Sequence, residues 1–185
     1  MSVFKAYDIR GTYPDQIDSN LARRIGRAYA DFMGDGPLVV GRDMRTMAPE
    51  IHNEVIEGIL DGGVDVIDIV LSSTPQCYYA IGALKAFGGM NVTASHNAKQ
   101  YIGFKLCSAE AKPISADNGI CEIEQMATTG EMPAPVAERG SRSSVDTLAD
   151  YAKHVAQWAD LAREVNIVSD AANGMAAHSF PAVLE

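Results

Sequence analysis

The chain has 185 residues, a formal net charge of −9, 47% hydrophobic residues and 21% charged ones. This is the make-up of one globular domain plus a remainder, and it excludes disordered, collagen-like and stalk-like classes. The negative balance argues against nucleic acid or an anionic membrane surface as a partner, since both require surplus cations to neutralise phosphates or headgroups.

In chain order, Met1 to Lys5 carry neither the charged nor the apolar region of a secretory leader. No apolar run approaches the ~20 residues of a membrane span, so a cytoplasmic location is expected. From Asp18 to Gly34, the residues Leu21, Ile25, Ala28, Tyr29 and Phe32 recur at helical spacing, with Asp18 placed to cap the start and Gly34 to end the helix. Pro37 to Gly41 predicts a short buried strand. Pro49 suits the first turn of a second helix carrying Ile51, Val55, Ile56, Ile59 and Leu60, closed by Gly62 and Gly63. The alternating, branched run from Val64 to Leu71 is a strand, and Thr74-Pro75 caps and opens a third helix to about Ala86, broken by Gly88-Gly89.

Met90 to Thr93 and Phe104 to Cys107 predict two strands joined by a polar loop and close enough to pair antiparallel. Ser115 starts a fourth helix through Met126. Strands alternating with helices imply an α/β fold, a doubly wound mixed sheet with flanking helices. Thr128 to Ser144 is rich in Pro, Gly and Ser and marks a connection with room for an edge strand. A domain boundary is expected near its end, dividing 1–144 from 145–185. Past it, a helix is expected from about Val145 to Arg163, with Leu148, Tyr151, Ala152, Val155, Trp158 and Ala159 on one face. Val165 to Ser169 reads as another strand and Asp170 to Gly174 as a turn. So few residues cannot bury a core unaided, so the second α/β unit is expected to be incomplete.

Cys77, Cys107 and Cys121 form neither an even set nor a Cys-x-x-Cys pair, which predicts buried, reduced thiols. His52, His96, His154 and His178 show no metal-ligand spacing.

Open α/β sheets bind ligands beyond the carboxyl ends of their strands, which directs attention to three loops. They are Tyr7 to Gly11, Gly41 to Arg45, and Thr93 to Tyr101. In an acidic chain, Arg10, Arg42, Arg45, Lys99 and Lys105 all fall in or beside them, suggesting one anion-binding concavity. Each loop alone is ambiguous: an Arg-Asp pair often only closes a turn, and Ser95-His96-Asn97 serves equally as a polar turn. No Gly-x-Ser-x-Gly elbow accompanies Ser95, so a hydrolase triad is not indicated.

Taken together, Tyr7-Asp8-Ile9-Arg10-Gly11, Gly41-Arg42-Asp43-Met44-Arg45, and Thr93-Ala94-Ser95-His96-Asn97 followed by Tyr101-Ile102-Gly103-Phe104-Lys105 resemble, in order and spacing, the successive signatures of the α-D-phosphohexomutases. The last run is more similar to the phosphomannomutase/phosphoglucomutase branch than to phosphoglucosamine mutases, and Val168 to Gly174 is similar to the opening of the family's second domain. The resemblance implies a phosphoryl transfer between the 1- and 6-positions of a hexose phosphate through phospho-Ser95. Arg10 and Lys105 would be the compensating cations and His96 a proton carrier. Tyr7, Asn97, Arg42 and Arg45 would contact substrate or support the loop. It also implies Mg2+ on the Ser95 phosphate with its other ligands outside this chain, a hexose 1,6-bisphosphate activator, and further C-terminal domains of the same polypeptide. A phosphate- or phosphosugar-binding domain without turnover, or an inactive mutase fragment, is the alternative. Three departures bear on activity: Ala98 and Ile102 stand where the family has Pro and Asn, which is expected to loosen or reshape the loop, and Met47-Ala48 replaces a serine-rich stretch.

Overall fold

Local signals build the first layer directly. Asp18 accepts a hydrogen bond from the Leu21 amide at 2.7 Å and so caps α1 (Ser19–Met33), which ends at Gly34 in the left-handed conformation, φ 70°. Glycine adopts that conformation without the steric cost of a Cβ. Helix α2 (Ala48–Asp61) holds Pro49 in its first turn, and α3 (Thr74–Ala83) is capped by Ser73, one residue earlier than the sequence suggests. The computed structural model describes residues 2–160 and 162–184.

The strands are β1 (Ile9–Thr12), β2 (Leu38–Arg42), β3 (Val66–Leu71), β4 (Gly88–Val92), β5 (Tyr101–Ser108), β6 (Lys112–Pro113) and β7 (Arg142–Ser144). They form a seven-stranded sheet in the order β1-β5-β4-β2-β3-β7, with β6 on β5. Strands β4, β2, β3 and β7 run parallel, while β5 is antiparallel to β4, β1 and β6, so the sheet is mixed as expected. Helices α1, α2 and α4 (Ile120–Thr128) cover one face through a core that includes Ile25, Ile51, Ile56, Phe104 and Ile123. Helix α3 covers the other, over Val39, Ile69, Ile81 and Cys107. Tyr29 ties α1 to the sheet: its buried hydroxyl lies 2.6 Å from the Cys107 carbonyl and 3.1 Å from that of Gly89.

Several expectations are corrected. The Tyr7–Gly11 segment is not all loop, because Ile9–Thr12 pairs with β5, placing Arg10 opposite Gly103. Four residues with an Arg and a Gly carry no strand signal of their own; the open edge of β5 supplies it. A Cβ on Gly103 would strike the Ile9 carbonyl, so this close approach needs glycine. Gly88 and Gly89 do not simply break α3 but begin β4. Helix α4 starts at Ile120 rather than Ser115, since Gly119 has φ 149° and residues 115–118 form a turn. Cys77 and Cys107 are buried, but Cys121 is exposed, because α4 turns Ile120, Ile123 and Ala127 inward.

The end of the chain departs most. Helix α5 spans only Leu148–Ala156, and Trp158 is 78% exposed instead of joining an apolar face. Of the longer helix expected, Leu161 lies outside the described residues. Val165–Ser169 pairs with nothing among the described residues and is no strand, with Val168 99% exposed. A strand exists only where a neighbour takes its backbone hydrogen bonds. A short helix, α6 (Ala176–Leu184), follows the expected turn.

The connection before α5 is fastened by charge. Asp68 on β3 is 3% exposed; it faces Arg142 of β7, and its Oδ1 lies 3.0 Å from His52 Nε2 of α2. Burial opposes its ionisation, yet contacts with His52 and Arg142 and the Val70 N–H prevail and hold its carboxyl at about 2. A carboxyl held low contributes stability above its unfolded pKa near 4, which is lost as pH falls toward its folded value. Asp68→Asn should therefore destabilise the protein at neutral pH, and the difference from wild type should shrink by about 1–2 kcal/mol between pH 5 and pH 2, allowing for screening of the half-exposed Arg142. Urea unfolding of both proteins across that range measures it. Gly103→Ala should cost about 1–3 kcal/mol by forcing β1 off β5, read as a lower urea midpoint.

Candidate active site

The loop between β4 and β5 leaves the carboxyl end of the sheet, where its backbone is folded back by short bonds. Thr93 N–H donates to the Gly103 carbonyl at 2.8 Å, Asn97 N–H to Ala94 at 3.0 Å and Tyr101 N–H to Ala98 at 3.1 Å. Ser95 has φ 54°, a left-handed conformation costing an L-residue roughly 1–3 kcal/mol. Its amide is held there by Thr93 Oγ1 at 2.9 Å. Ala94 is buried beneath, while Ser95 and His96 are exposed. Ser95 Oγ and His96 Nδ1 approach to 3.4 Å, at the outer limit of a hydrogen bond.

Asp43, at the end of β2, organises what lies under this loop. Its carboxylate accepts from Thr93 Oγ1 at 2.7 Å, from the Arg45 amide at 3.0 Å and from Arg45 Nε at 3.2 Å. The Arg42–Asp43 pair that the sequence suggests does not form between side chains: among the described residues Arg42 hydrogen-bonds the Asp43 carbonyl alone, at 3.3 Å. Arg45 extends under the loop with its side chain 8% exposed. Its Nη1 donates to the carbonyls of Ala98 (2.8 Å) and Tyr101 (3.0 Å), and its Nη2 to those of Ser95 (3.1 Å) and Asn97 (2.7 Å). Its five N–H donors thus have five protein acceptors.

Arg10 joins the same loop from β1. Its Nη1 donates to Asn97 Oδ1 at 2.9 Å, its Nη2 pairs with Asp8, and its buried Nε has no partner among the described residues. Register puts Gly103, Thr93 and Lys105 on the face of the sheet that Arg10 uses, with Lys105 opposite Asn91. Tyr7 stands 79% exposed on the segment before β1. A cleft of about 290 Å³ opens beside Ser95, walled by Asp43, Thr93, the hydroxyl residues Ser72, Ser73 and Thr74, and Met175. Thr74 and Asn91 share a hydrogen bond of 3.0 Å, which fixes the start of α3 to β4.

Sequence reasoning missed that hydroxyl wall, although Ser72-Ser73-Thr74 follows β3 at the same carboxyl edge and the rule used for the other loops points to it. Met175 is brought in only by folding. The reading of Ile102 is corrected: it lies within β5, paired with Gly11 and fully buried, so no Asn-Gly turn is displaced there and a branched apolar residue suits the position. Ala48 is likewise buried in the core and Met47 packs against it. Among the described residues no three His, Cys, Asp or Glu side chains gather as a metal site.

Comparison with known proteins identifies the family and the fold. Residues 1–133 match the model of the phosphoglucomutase/phosphomannomutase α/β/α domain I. A phosphomannomutase of Escherichia coli is 40% identical over 183 residues, covering 96% of this chain and 40% of that protein. A phosphomannomutase sequence from Klebsiella pneumoniae is 42% identical over 153 residues, covering 82% of this chain and 97% of that sequence. The crystal structure of a phosphoglucomutase/phosphomannomutase family protein from Burkholderia thailandensis superposes with a TM-score of 0.84 at 29% identity, over 98% of this chain and 42% of that one. The chain belongs to the phosphoglucomutase/phosphomannomutase family and spans about 40% of the Escherichia coli relative it matches.

Thr93→Val removes the hydroxyl that links Ser95 to Asp43 while keeping its shape. It should cost about 1–3 kcal/mol through unsatisfied partners, and hydrogen exchange at the Ser95 amide should accelerate more than exchange in β2 or β4.

Proposed function

We propose that Ser95 carries a phosphoryl group and that the polypeptide containing this chain interconverts the 1- and 6-phosphates of mannose, glucose or both. Phospho-Ser95 would donate to the free hydroxyl of a hexose monophosphate: the new sugar O–P bond forms, the Ser95 O–P bond breaks, and the hydroxyl proton ends on the serine oxygen. The resulting 1,6-bisphosphate turns over and returns its other phosphate to Ser95. The same bisphosphate would prime an unphosphorylated enzyme.

The observation that carries this reading is the presentation of Ser95: exposed, in a left-handed turn, on a loop that also holds Arg10 through Asn97. Phosphoryl transfer needs in-line positioning and compensating charge more than covalent assistance from the protein. Arg10 and Lys105 are assigned that charge, and His96, 3.4 Å from the hydroxyl, the proton. Tyr7, Asn97 and Arg42 are assigned to substrate contact, and the remaining sugar contacts to residues that the relatives carry beyond the matched region. The division between 1–144 and 145–185 is kept in this reading, with β7 closing the first unit. Phosphoryl oxygens on exposed Ser95 are hard donors that suit Mg2+, and no clustered carboxylates of the described residues compete for it. When bound, the ion would neutralise charge on the transferring group.

Incubating the polypeptide encoded by the full reading frame with glucose or mannose 1,6-bisphosphate and Mg2+ should add one phosphate, +80 Da, at Ser95 by intact mass and peptide mapping. Ser95→Ala should abolish the addition and reduce mutase turnover by at least about 10³-fold. Phosphate or phosphosugar binding without phosphorylation would instead identify a binding domain.

A further inference from the structure

We infer that Arg45 is a positioning residue for phosphoryl transfer: its guanidinium shapes the Ser95 loop and, through Asn97, sets Arg10 beside it. This rests on the proposed role of Ser95. The carbonyls of Ser95, Asn97, Ala98 and Tyr101 all point at one spot beneath the loop, each 2.7–3.1 Å from Arg45. Four convergent carbonyl dipoles repel one another unless a cation sits among them. A planar fork with five fixed donors meets them all, whereas a lysine ammonium offers only three.

Arg45 is itself held. Asp43 binds its Nε and backbone amide, and the same carboxylate takes the Thr93 hydroxyl that receives the Ser95 N–H. The loop is therefore gripped at the Ser95 amide and the Ser95 carbonyl from one carboxylate–guanidinium pair. At Asn97 the grip passes outward: Arg45 fixes its carbonyl while its side-chain oxygen takes Arg10 Nη1. Ala98 makes this grip more important, since no proline ring restrains the loop and the Ala98 carbonyl is tied to Arg45 at 2.8 Å instead.

Arg45→Lys keeps the charge and removes the fork. By hydrogen exchange with mass spectrometry or NMR on this chain, Ser95, Asn97 and Tyr101 amides should exchange about tenfold faster or more, while amides of β2 and β4 keep wild-type rates. In the full-length polypeptide, the rate constant for phosphorylation of Ser95 by glucose 1,6-bisphosphate should fall about 10–100-fold, as a ~1 Å misplacement does, with the half-saturating concentration changed less than about twofold. Adding Ala98→Pro should recover part of both effects. Unchanged loop exchange in Arg45→Lys overturns the inference, as does a uniform rise across the sheet, which would make Arg45 a support of the fold at large. If wild type is never phosphorylated but the loop loosens selectively, the mutase reading falls and the loop clamp stands. If wild type is phosphorylated and Arg45→Lys matches it in rate and exchange, the clamp falls and the mutase reading stands.

Discussion

The carboxylate of Asp43 is the constraint on which the rest of the site depends. It is 4% exposed, a position where an unpaired charge would be prohibitive, and it is tolerated because three donors from Arg45 and Thr93 surround it. Those donors come from two segments, Thr93 standing fifty residues beyond Asp43, at the ends of neighbouring parallel strands β2 and β4. Satisfying one buried charge therefore fixes two loops relative to each other. The left-handed backbone at Ser95 is a consequence: it persists because the surrounding bonds over-determine it.

Charge is distributed in the same local manner elsewhere. The chain is acidic overall, yet the two other carboxylates buried among the described residues each have an arginine or histidine from another element. Asp61 of α2 meets Arg23 of α1 and Arg139 of the connection, and Asp68 of β3 meets His52 and Arg142. The Asp61 pairs join α2 to α1 and to the connection, and the Asp68 pairs join α2 and β7 to β3, rather than adding to surface attraction, whose net worth would be small. Arg10 likewise has an ion pair, with Asp8, and its buried Nε has no hydrogen-bond partner among the described residues.

The residues after 144 are organised by contact with α3 rather than by a core of their own. Helix α5 meets α3 through Tyr79 and Tyr151, with ring centres 5.8 Å apart, and through Gln76, whose amide donates to Thr147 at 3.1 Å. Past it, Trp158, Ile167 and Val168 stay exposed. Met175, from the segment before α6, nevertheless reaches the cleft beside Ser95.

Sequence alone determined what depends on near neighbours. The caps and apolar spacing of α1, the prolines opening α2 and α3, the runs of β2 and β3, and the three loops with their order are local, and the loops carried the family resemblance. Tertiary structure decided what depends on partners far along the chain. β1 is a strand only because β5 offers an edge, Val165–Ser169 is not one because no described neighbour does, and Ile102 is a core residue because β5 begins at Tyr101. The same holds at the site: Ser95 and the arginines were visible as residue types, but which arginine reaches Asp43 was not. Side-chain direction follows from the register and end points of strands, and those are set by pairing across the sheet, which no local pattern encodes.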